Sequence, residues 1–351
     1  MENYLELTLD GKLYTQRTPH SKIVVYDKNN EKIKTLEDVP QILLDVIDIK
    51  EKIEESPSRY FDYTIENDEV IIKKMTDNNE FYIYIPETID GYPVTTIESE
   101  VLKDVEKKVQ QIHLPDTITR IEYGAFRGGG LLEYINIPKN LIEIPDFCFS
   151  LCYKLKDIDL KNIRKIGIHA FEECINLTNI DASNTEIIGE YAFCNCLNLE
   201  TIKLCDTIYT INKGTFAYCE KLKEVFLPDS INDIASRAFE ECVALENIRF
   251  SENIKFIGAA AFKFCESLKE FIAPKELLEI QASAFQNSGL EKIIFNKKLK
   301  EIDLFAFSKC DKANYVEIYP ETKYSSQSFS QQMKYGLKIV KDEISIEEQE
   351  R

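Results

Sequence analysis

Residues Ile166–Leu177 read IGIHAFEECINL, and this pattern returns along most of the chain. Its constant member is a phenylalanine, here Phe171, which recurs at steps of 22 or 23 residues. Nine phenylalanines keep this phase: Phe126, Phe149, Phe171, Phe193, Phe216, Phe239, Phe262, Phe285 and Phe307. A fixed period of this length is the signature of a repeat architecture in which each unit packs on its neighbours. The sequence therefore predicts a solenoid.

Three further positions repeat in phase with the phenylalanine. An isoleucine stands five residues before each of the nine, the residue immediately before each is small, and a leucine follows six residues after most of them. The sequence then alternates, as at Ile158-Asp159-Leu160 and Val225-Phe226-Leu227, which is the pattern of a half-buried strand. Each unit thus supplies one short strand, a turn and a compact Ala-Phe segment, and stacking pairs the strands into a parallel sheet.

The ends of the array are degenerate. Residues Ile97–Leu102 match Ile121–Phe126 position for position, and a last weak unit ends at Phe329. Atypical terminal repeats are what capping requires. We predict an α/β repeat solenoid of about ten units over residues 97–330. A capping hairpin and opening segment over 57–96 precede it, with a turn at Asn67-Asp68, and residues 331–351 form a C-terminal cap and acidic tail.

Residues 1–56 have no repeat phase. Leu5, Leu7 and Leu9 alternate into Asp10-Gly11, a strong hairpin turn, and a second strand pair is expected around Asn29-Asn30. The spacing of Ile42, Val46, Ile49 and Ile53 is that of one helix face. We predict a small β-rich module with one helix.

The repeat units resemble the BspA-like class of bacterial leucine-rich repeats. The segment Ile85–Ile97, which reads IPETIDGYPVTTI, is similar to the usual opening of that family, and the resemblance extends over residues 60–330. It implies a curved solenoid. It also implies a role in binding host or matrix proteins, often at the cell surface.

Composition restricts the partners. Charged residues make up 30% of the chain and the formal charge is −18, so the averaged field repels nucleic acid and anionic lipid and favours a basic protein segment. The first residues, MENYLE, do not read as a signal peptide, and no apolar stretch approaches the eighteen residues of a spanning helix. We expect a cytoplasmic protein that binds neither nucleic acid nor the membrane interior, with the cell surface as the alternative.

Seven cysteines stand three residues after a repeat phenylalanine and form one column: Cys152, Cys174, Cys196, Cys219, Cys242, Cys265 and Cys310. Zinc ligands cluster at two-to-four-residue spacing, whereas a column gives one sulfur per layer about 4.8 Å apart, so packing is favoured over metal binding. The three histidines follow no nucleophile motif, and Arg127-Gly128-Gly129-Gly130 lacks the ending of a phosphate loop. We therefore predict no catalytic residue, no metal and no cofactor.

The alternating strands expose a second set of side chains. Neighbouring strands lie about 4.8 Å apart, so the outward residues of five or six units would form a strip about 25 Å long. The candidate partner-binding residues on it are Tyr134, Asp157, Asp159, Asp181, Lys203, Phe226, Arg249, Ile272 and Ile294. The acidic residues would guide a basic segment and the apolar ones would anchor it.

These patterns favour a non-enzymatic protein-binding scaffold. The alternatives are a solvated face that binds nothing, a cell-surface adhesion or structural envelope protein, and an enzyme whose activity lies in residues 1–56.

Overall fold

The computed structural model describes residues 58–76, 81–103, 105 and 108–331, together with the backbone of a few strands outside these ranges. The chain divides into two compact units, Met1–Glu55 and Ser56–Arg351. The helix predicted over 42–53 and the acidic tail lie outside the described residues. The finer domain boundaries stay predictions.

The first unit contains four strands: β1 (Leu5–Leu7), β2 (Leu13–Thr15), β3 (Ile23–Tyr26) and β4 (Lys32–Thr35). They form one sheet in the order β2-β1-β3-β4. β1 pairs antiparallel with β2, and β3 with β4, so the two strand pairs that the sequence predicts around Asp10-Gly11 and Asn29-Asn30 are both present.

The second unit opens with a hairpin after a 3₁₀ turn at Ser58–Tyr60. Its strands β5 (Phe61–Glu66) and β6 (Glu69–Met75) pair antiparallel around Asn67 and Asp68. Both turn residues have positive φ, 52° and 62°, as the tightest hairpin turns require. β6 then pairs parallel with β9 (Tyr92–Ile97), which also receives the short strand β8 (Thr88–Ile89). The hairpin thereby lies along the edge of β9, and its role as a cap stays a prediction.

One face of the solenoid carries the alternating strands, and we call it the long-strand face. Its members are β7 (Tyr82–Tyr84), β10 (Gln111–His113), β12 (Tyr134–Ile135), β15 (Asn179–Ala182), β17 (Thr201–Leu204), β19 (Glu224–Phe226), β21 (Asn247–Arg249), β23 (Glu270–Ile272), β25 (Lys292–Ile294), β27 (Tyr315–Ile318) and β29 (Leu337–Ile339). They pair parallel in three separate sheets, β12-β10-β7, β15-β17-β19-β21 and β23-β25-β27-β29.

A second strand per unit, which the sequence analysis missed, forms the short-strand face. It consists of β11 (Arg120–Ile121), β13 (Glu143–Ile144), β14 (Lys165–Ile166), β16 (Ile187–Ile188), β18 (Thr210–Ile211), β20 (Asp233–Ile234), β22 (Phe256–Ile257), β24 (Glu279–Ile280), β26 (Glu301–Ile302) and β28 (Lys323–Tyr324). From β11 to β26 the second residue is the repeat isoleucine, and it is buried each time. Two residues are too few to show alternation, so this strand leaves little periodic signal.

The third face carries the Ala-Phe segment, and it is not helical. The N–H of Phe149 donates to the carbonyl of Ala170 in the next unit at 2.8 Å, whereas the N–H of Ser150 bonds within the unit to Phe147 at 3.1 Å. N–H groups that alternate between the next unit and the same unit cannot form a helical ladder. No α-helix occurs in the described ranges, so the α/β expectation is wrong there, and the fold is a parallel-sheet β-solenoid of about eleven turns.

The core is a continuous stack of the repeat phenylalanines. All nine are fully buried, and consecutive ring centroids lie 5.1–5.8 Å apart, Phe193–Phe216 being the widest pair. Phe329 extends the stack beyond Phe307 at 5.6 Å, as the weak terminal unit predicted. Because each ring packs on both neighbours, the layers depend on one another for burial.

Candidate partner-binding site

The long-strand face presents the outward residues that the sequence selected. Its strands alternate as expected: Ile180 and Ile202 are buried, and Asp181 and Lys203, which lie opposite each other in β15 and β17, are exposed. Phe226 lies opposite Arg249, and both are exposed. Ile272 in β23 is exposed, and its neighbour Ile294 in β25 is half-buried.

The structure does not join all of these residues into one strip. Tyr134 is exposed in β12, where its ring lies 5.3 Å from that of His113, and it belongs to the first of the three sheets. Asp157 and Asp159 are exposed in a unit that forms no strand on this face. The expectation of an uninterrupted strip is therefore wrong, because the ladder is interrupted at residues 157–160 and again between β21 and β23.

Lysines partly neutralise the predicted acidic patch. The Nζ of Lys161 lies 2.7 Å from the Oδ2 of Asp159, and this hydrogen bond lowers the pKa of the Asp159 carboxyl. The backbone N–H of Ser183 donates to the Oδ1 of Asp181 at 3.0 Å, and hydrogen bonding from Ser183 lowers the pKa of the Asp181 carboxyl. The Nζ of Lys203 lies 3.8 Å from the Oδ2 of Asp181. Both groups stay ionised at neutral pH, but their field on a partner is reduced.

A cleft of about 890 Å³ opens where β21 and β23 fail to pair. Phe226, Arg249 and Ile272 line it, so three of the predicted residues converge there. Ile248 and Phe250 also line the cleft, and both are half-buried. The residues at the same two positions one unit earlier, Val225 and Leu227, are buried. The opening therefore gives a partner access to apolar groups that other units enclose. Neither residue could be selected from the sequence pattern, because both lie at positions whose alternation points inward.

Carboxylates dominate the rim of this cleft. Glu224, Glu246, Glu252 and Glu270 line it together with Arg249 and Lys269. Glu270 pairs with Lys292, and Lys269 with Glu291 at 3.6 Å. Within the described ranges, Glu224, Glu246 and Arg249 make no ion pair, so their charges remain available to a partner. The cleft offers apolar contacts beside two unpaired carboxylates and one guanidinium.

A second cleft of about 390 Å³ lies on the other side of Phe226, against Lys203, Leu204 and Pro228. The Phe226 side chain is 60% exposed and stands between the two depressions. An exposed aromatic beside an arginine, with a concave surface on each side, is the combination typical of interface hot spots.

The cysteine column is part of the core. Each thiol donates to the carbonyl of a phenylalanine in the preceding unit, for example Cys174 to Phe149 at 3.1 Å and Cys242 to Phe216 at 3.2 Å. Ser288 takes the same position after Phe285, and its hydroxyl lies 3.2 Å from the Cys310 sulfur. Burial raises the pKa of Cys152 to about 12, so its thiol stays protonated at physiological pH.

We expect the column thiols to be reduced and unreactive in the folded protein. At pH 8 a thiol reagent should modify them only as fast as the chain unfolds, because burial excludes the reagent and disfavours the thiolate. After denaturation all ten cysteines should react. Thiol titration before and after denaturation measures this reactivity, and elemental analysis measures bound metal. Stoichiometric zinc, or several thiols that fail to react after denaturation, would contradict the packing role.

The other groups considered for chemistry form no catalytic arrangement in the parts of the chain that the structure describes. His169 stacks between Phe147 and Tyr191, at 4.7 and 5.0 Å. Gly129 occupies the cysteine position of its unit: a Cβ there would lie 3.4 Å from the Cys152 sulfur. Across those same ranges, no three His, Cys, Asp or Glu side chains are placed to share a metal ion, and no helix has the length and apolar character to cross a membrane.

Comparisons with known proteins agree with this architecture. The sequence model of the family described as BspA type Leucine rich repeat region matches residues 82–196 and 186–314, in six copies. A leucine-rich repeat protein from Bacteroides ovatus is 24% identical, with a TM-score of 0.57 over 80% of this chain and 98% of its own. A leucine rich repeat protein from T. pallidum is 23% identical over 61% of this chain and 91% of its own, with a TM-score of 0.45. No curated protein matches the sequence. The similarity to the Bacteroides ovatus structure concerns the fold alone.

Proposed function

The chain belongs to the BspA type leucine-rich repeat family, and on that premise we propose that it is a non-enzymatic scaffold that binds a protein partner on its long-strand face. Scaffolds of this repeat family are typically protein-binding or surface-adhesion proteins. The partner segment contains both an apolar side chain and basic residues, because the cleft offers apolar surface and unpaired carboxylates.

The observation that carries the proposal is the convergence of Phe226, Arg249 and Ile272 on the cleft between β21 and β23. An aromatic ring and an arginine exposed in a concave surface are among the residue types that dominate binding energy in protein interfaces. The surrounding acidic rim selects a basic segment and accelerates its encounter.

Site-specific photo-crosslinking tests this proposal. A benzophenone amino acid replaces Phe226 in the intact chain, and a matched control replaces Tyr209, an exposed aromatic beside β18 on the short-strand face. We expect one protein from native lysate to crosslink at position 226 and not at 209, and the same purified protein to repeat the result. Equal crosslinking at both positions, or at neither, would overturn the proposed site.

The acidic residues should affect the rate of association. Asp159→Asn with Asp181→Asn is expected to slow association by about two- to fivefold at low salt and to leave dissociation unchanged, because long-range attraction acts on encounter. The effect is modest since Lys161 and Lys203 already offset part of the charge.

Stopped-flow or surface-binding kinetics with the crosslinked partner measures this effect. The matched control is Glu143→Gln with Glu301→Gln, which removes the same charge from exposed positions on the short-strand face. An equal slowing by both pairs would mean that net charge, rather than the acidic patch, guides the partner.

A further inference from the structure

The interruption between β21 and β23 removes backbone bonds that the neighbouring units make. The N–H of Leu227 donates to Arg249 O at 3.1 Å, and that of Ala273 to Ile294 O at 2.8 Å. The equivalent bond from Phe250 N–H to Ile272 O is absent from these described strands. The bond from Lys269 N–H to Glu246 O is absent as well, whereas Glu291 N–H donates to Lys269 O at 2.7 Å.

The opening is local. The same two units remain joined at both ends of the missing ladder, by Ser267 N–H to Val243 O and Glu276 N–H to Glu252 O, both at 3.2 Å. Their short strands β22 and β24 stay paired, and the Phe262 and Phe285 rings stack at 5.1 Å. The result is a window in one face of two units that stay joined on their other faces, and two formed strands border it. This distinguishes it from the interruption at residues 157–160, where no strand forms.

Two aromatic residues pack against each other beneath the window. Phe271 occupies an inward position that is isoleucine or valine in β15, β17, β19, β21, β25 and β27, and it is fully buried. Phe250 takes the place held by Leu227 one unit earlier, and its ring packs edge-on against Phe271 at 5.5 Å. Phe271 is larger than the isoleucine or valine of the other units, so the core between β21 and β23 holds added side-chain volume.

We propose that this window is a strand-acceptor site: an extended segment of the protein partner lies between β21 and β23 and makes the backbone hydrogen bonds that the two strands lack. The inference rests on the proposed function and names the form of its partner. A strand edge whose N–H and C=O groups lack ladder partners is a template for pairing with an added strand.

The side chains around the window set the chemistry of the segment. Phe226, Ile248 and Ile272 receive apolar side chains on alternate residues of an extended chain. The unpaired carboxylates of Glu224 and Glu246 favour lysine or arginine on the flanks. A helical segment would place its backbone groups out of reach of β21 and β23.

Amide hydrogen exchange on the full chain tests whether the window exists. The amides of Phe250 and Lys269 should exchange at least about 100-fold faster than those of Leu227 and Ala273, since only the latter are in a ladder. Equal protection of all four would overturn the proposal.

A synthetic peptide, acetyl-KTVIVTK-amide, tests the pairing with fluorescence anisotropy as the readout. We expect saturable binding of the peptide that slows hydrogen exchange at the amides of Phe250 and Lys269. N-methylation of alternate backbone nitrogens should weaken binding about tenfold or more, because it removes donors without changing side chains. The double variant Phe250→Leu with Phe271→Ile restores residue types found in other units and should close the window. In this variant the Lys269 amide should exchange more slowly, and the affinity for the peptide should fall about tenfold or more.

The outcomes separate the two proposals. Absence of peptide binding, or equal binding of the methylated peptide, would overturn strand pairing. If Phe226→Ala still lowers the affinity for the natural partner in that case, the long-strand face remains the proposed binding site and only the strand pairing is wrong. If Phe226→Ala has no effect on that partner, the proposed function fails as well.

Discussion

Phe216→Ala is expected to lower the free energy of unfolding by about 3–5 kcal/mol, the usual cost of emptying an aromatic core site. The side chain has no exposed surface and stacks between Phe193 at 5.8 Å and Phe239 at 5.4 Å. Because adjacent layers share this interface, the loss should spread to both neighbouring units and lower the cooperativity of unfolding.

Urea denaturation followed by circular dichroism measures this loss. Tyr209→Ala is the matched control, since Tyr209 is 67% exposed and its truncation should change stability by no more than about 0.5 kcal/mol. If the unfolding curve of the Phe216 variant overlaid that of the parent chain, the phenylalanine stack would not be the core.

The second large effect concerns binding. Phe226→Ala should weaken the binding of the partner by about 2 kcal/mol or more, which is roughly a 30-fold rise in Kd. Truncating an aromatic residue at the centre of an interface has this cost. Ile272→Ala, at a position 51% exposed in the free chain, should weaken it by a smaller factor. Both losses should arise mainly from faster dissociation, since short-range packing affects the lifetime of the complex.

Isothermal titration calorimetry gives the affinities, and surface-binding kinetics gives the rates. Tyr209→Ala again serves as the control, because it removes an equally exposed aromatic from another face. Unchanged affinity for both variants on the long-strand face, with loss of binding on substitution in residues 1–56, would move the site to the first unit.

The repeat could be predicted from sequence because its determinants are local. The phenylalanine phase located the core stack, and the alternation around Val225 and Phe226 located a strand with the correct residues outward. The cysteine column was also assigned to packing, and its thiols lie in the core. Each of these features follows from one residue type at one position of the period.

The α/β fold class was wrong in the described residues, and the backbone of the Ala-Phe segment shows why spacing alone could not correct it. Residues such as His169 and Glu173, two before and two after the phenylalanine, have positive φ, 53° and 59°. Their backbone conformation depends on hydrogen bonds to the next unit, which arise only on stacking. Side chains at these positions vary from unit to unit, so no glycine pattern marks them.

The candidate site could be predicted in part. The outward phase identified Phe226, Arg249 and Ile272, which the cleft brings together. The cleft itself lies over Phe250 and Phe271, which pack together in adjacent layers. Their contact is tertiary, and its only sequence signal is an aromatic residue at positions that are mostly aliphatic. The lysine partners of Asp159 and Asp181 are likewise set by side-chain geometry rather than by period.

Hydroxyl-radical footprinting of the purified complex shows whether the partner covers the long-strand face, because it measures the exposure of individual side chains. We expect partner binding to reduce the oxidation of Phe226 and Ile272 sharply. Tyr209 and Ile142, which are exposed away from the long-strand face, should be oxidised as in the free chain. Unchanged oxidation of Phe226 and Ile272, with protection appearing at Tyr209, Ile142 or within residues 1–55, would contradict it.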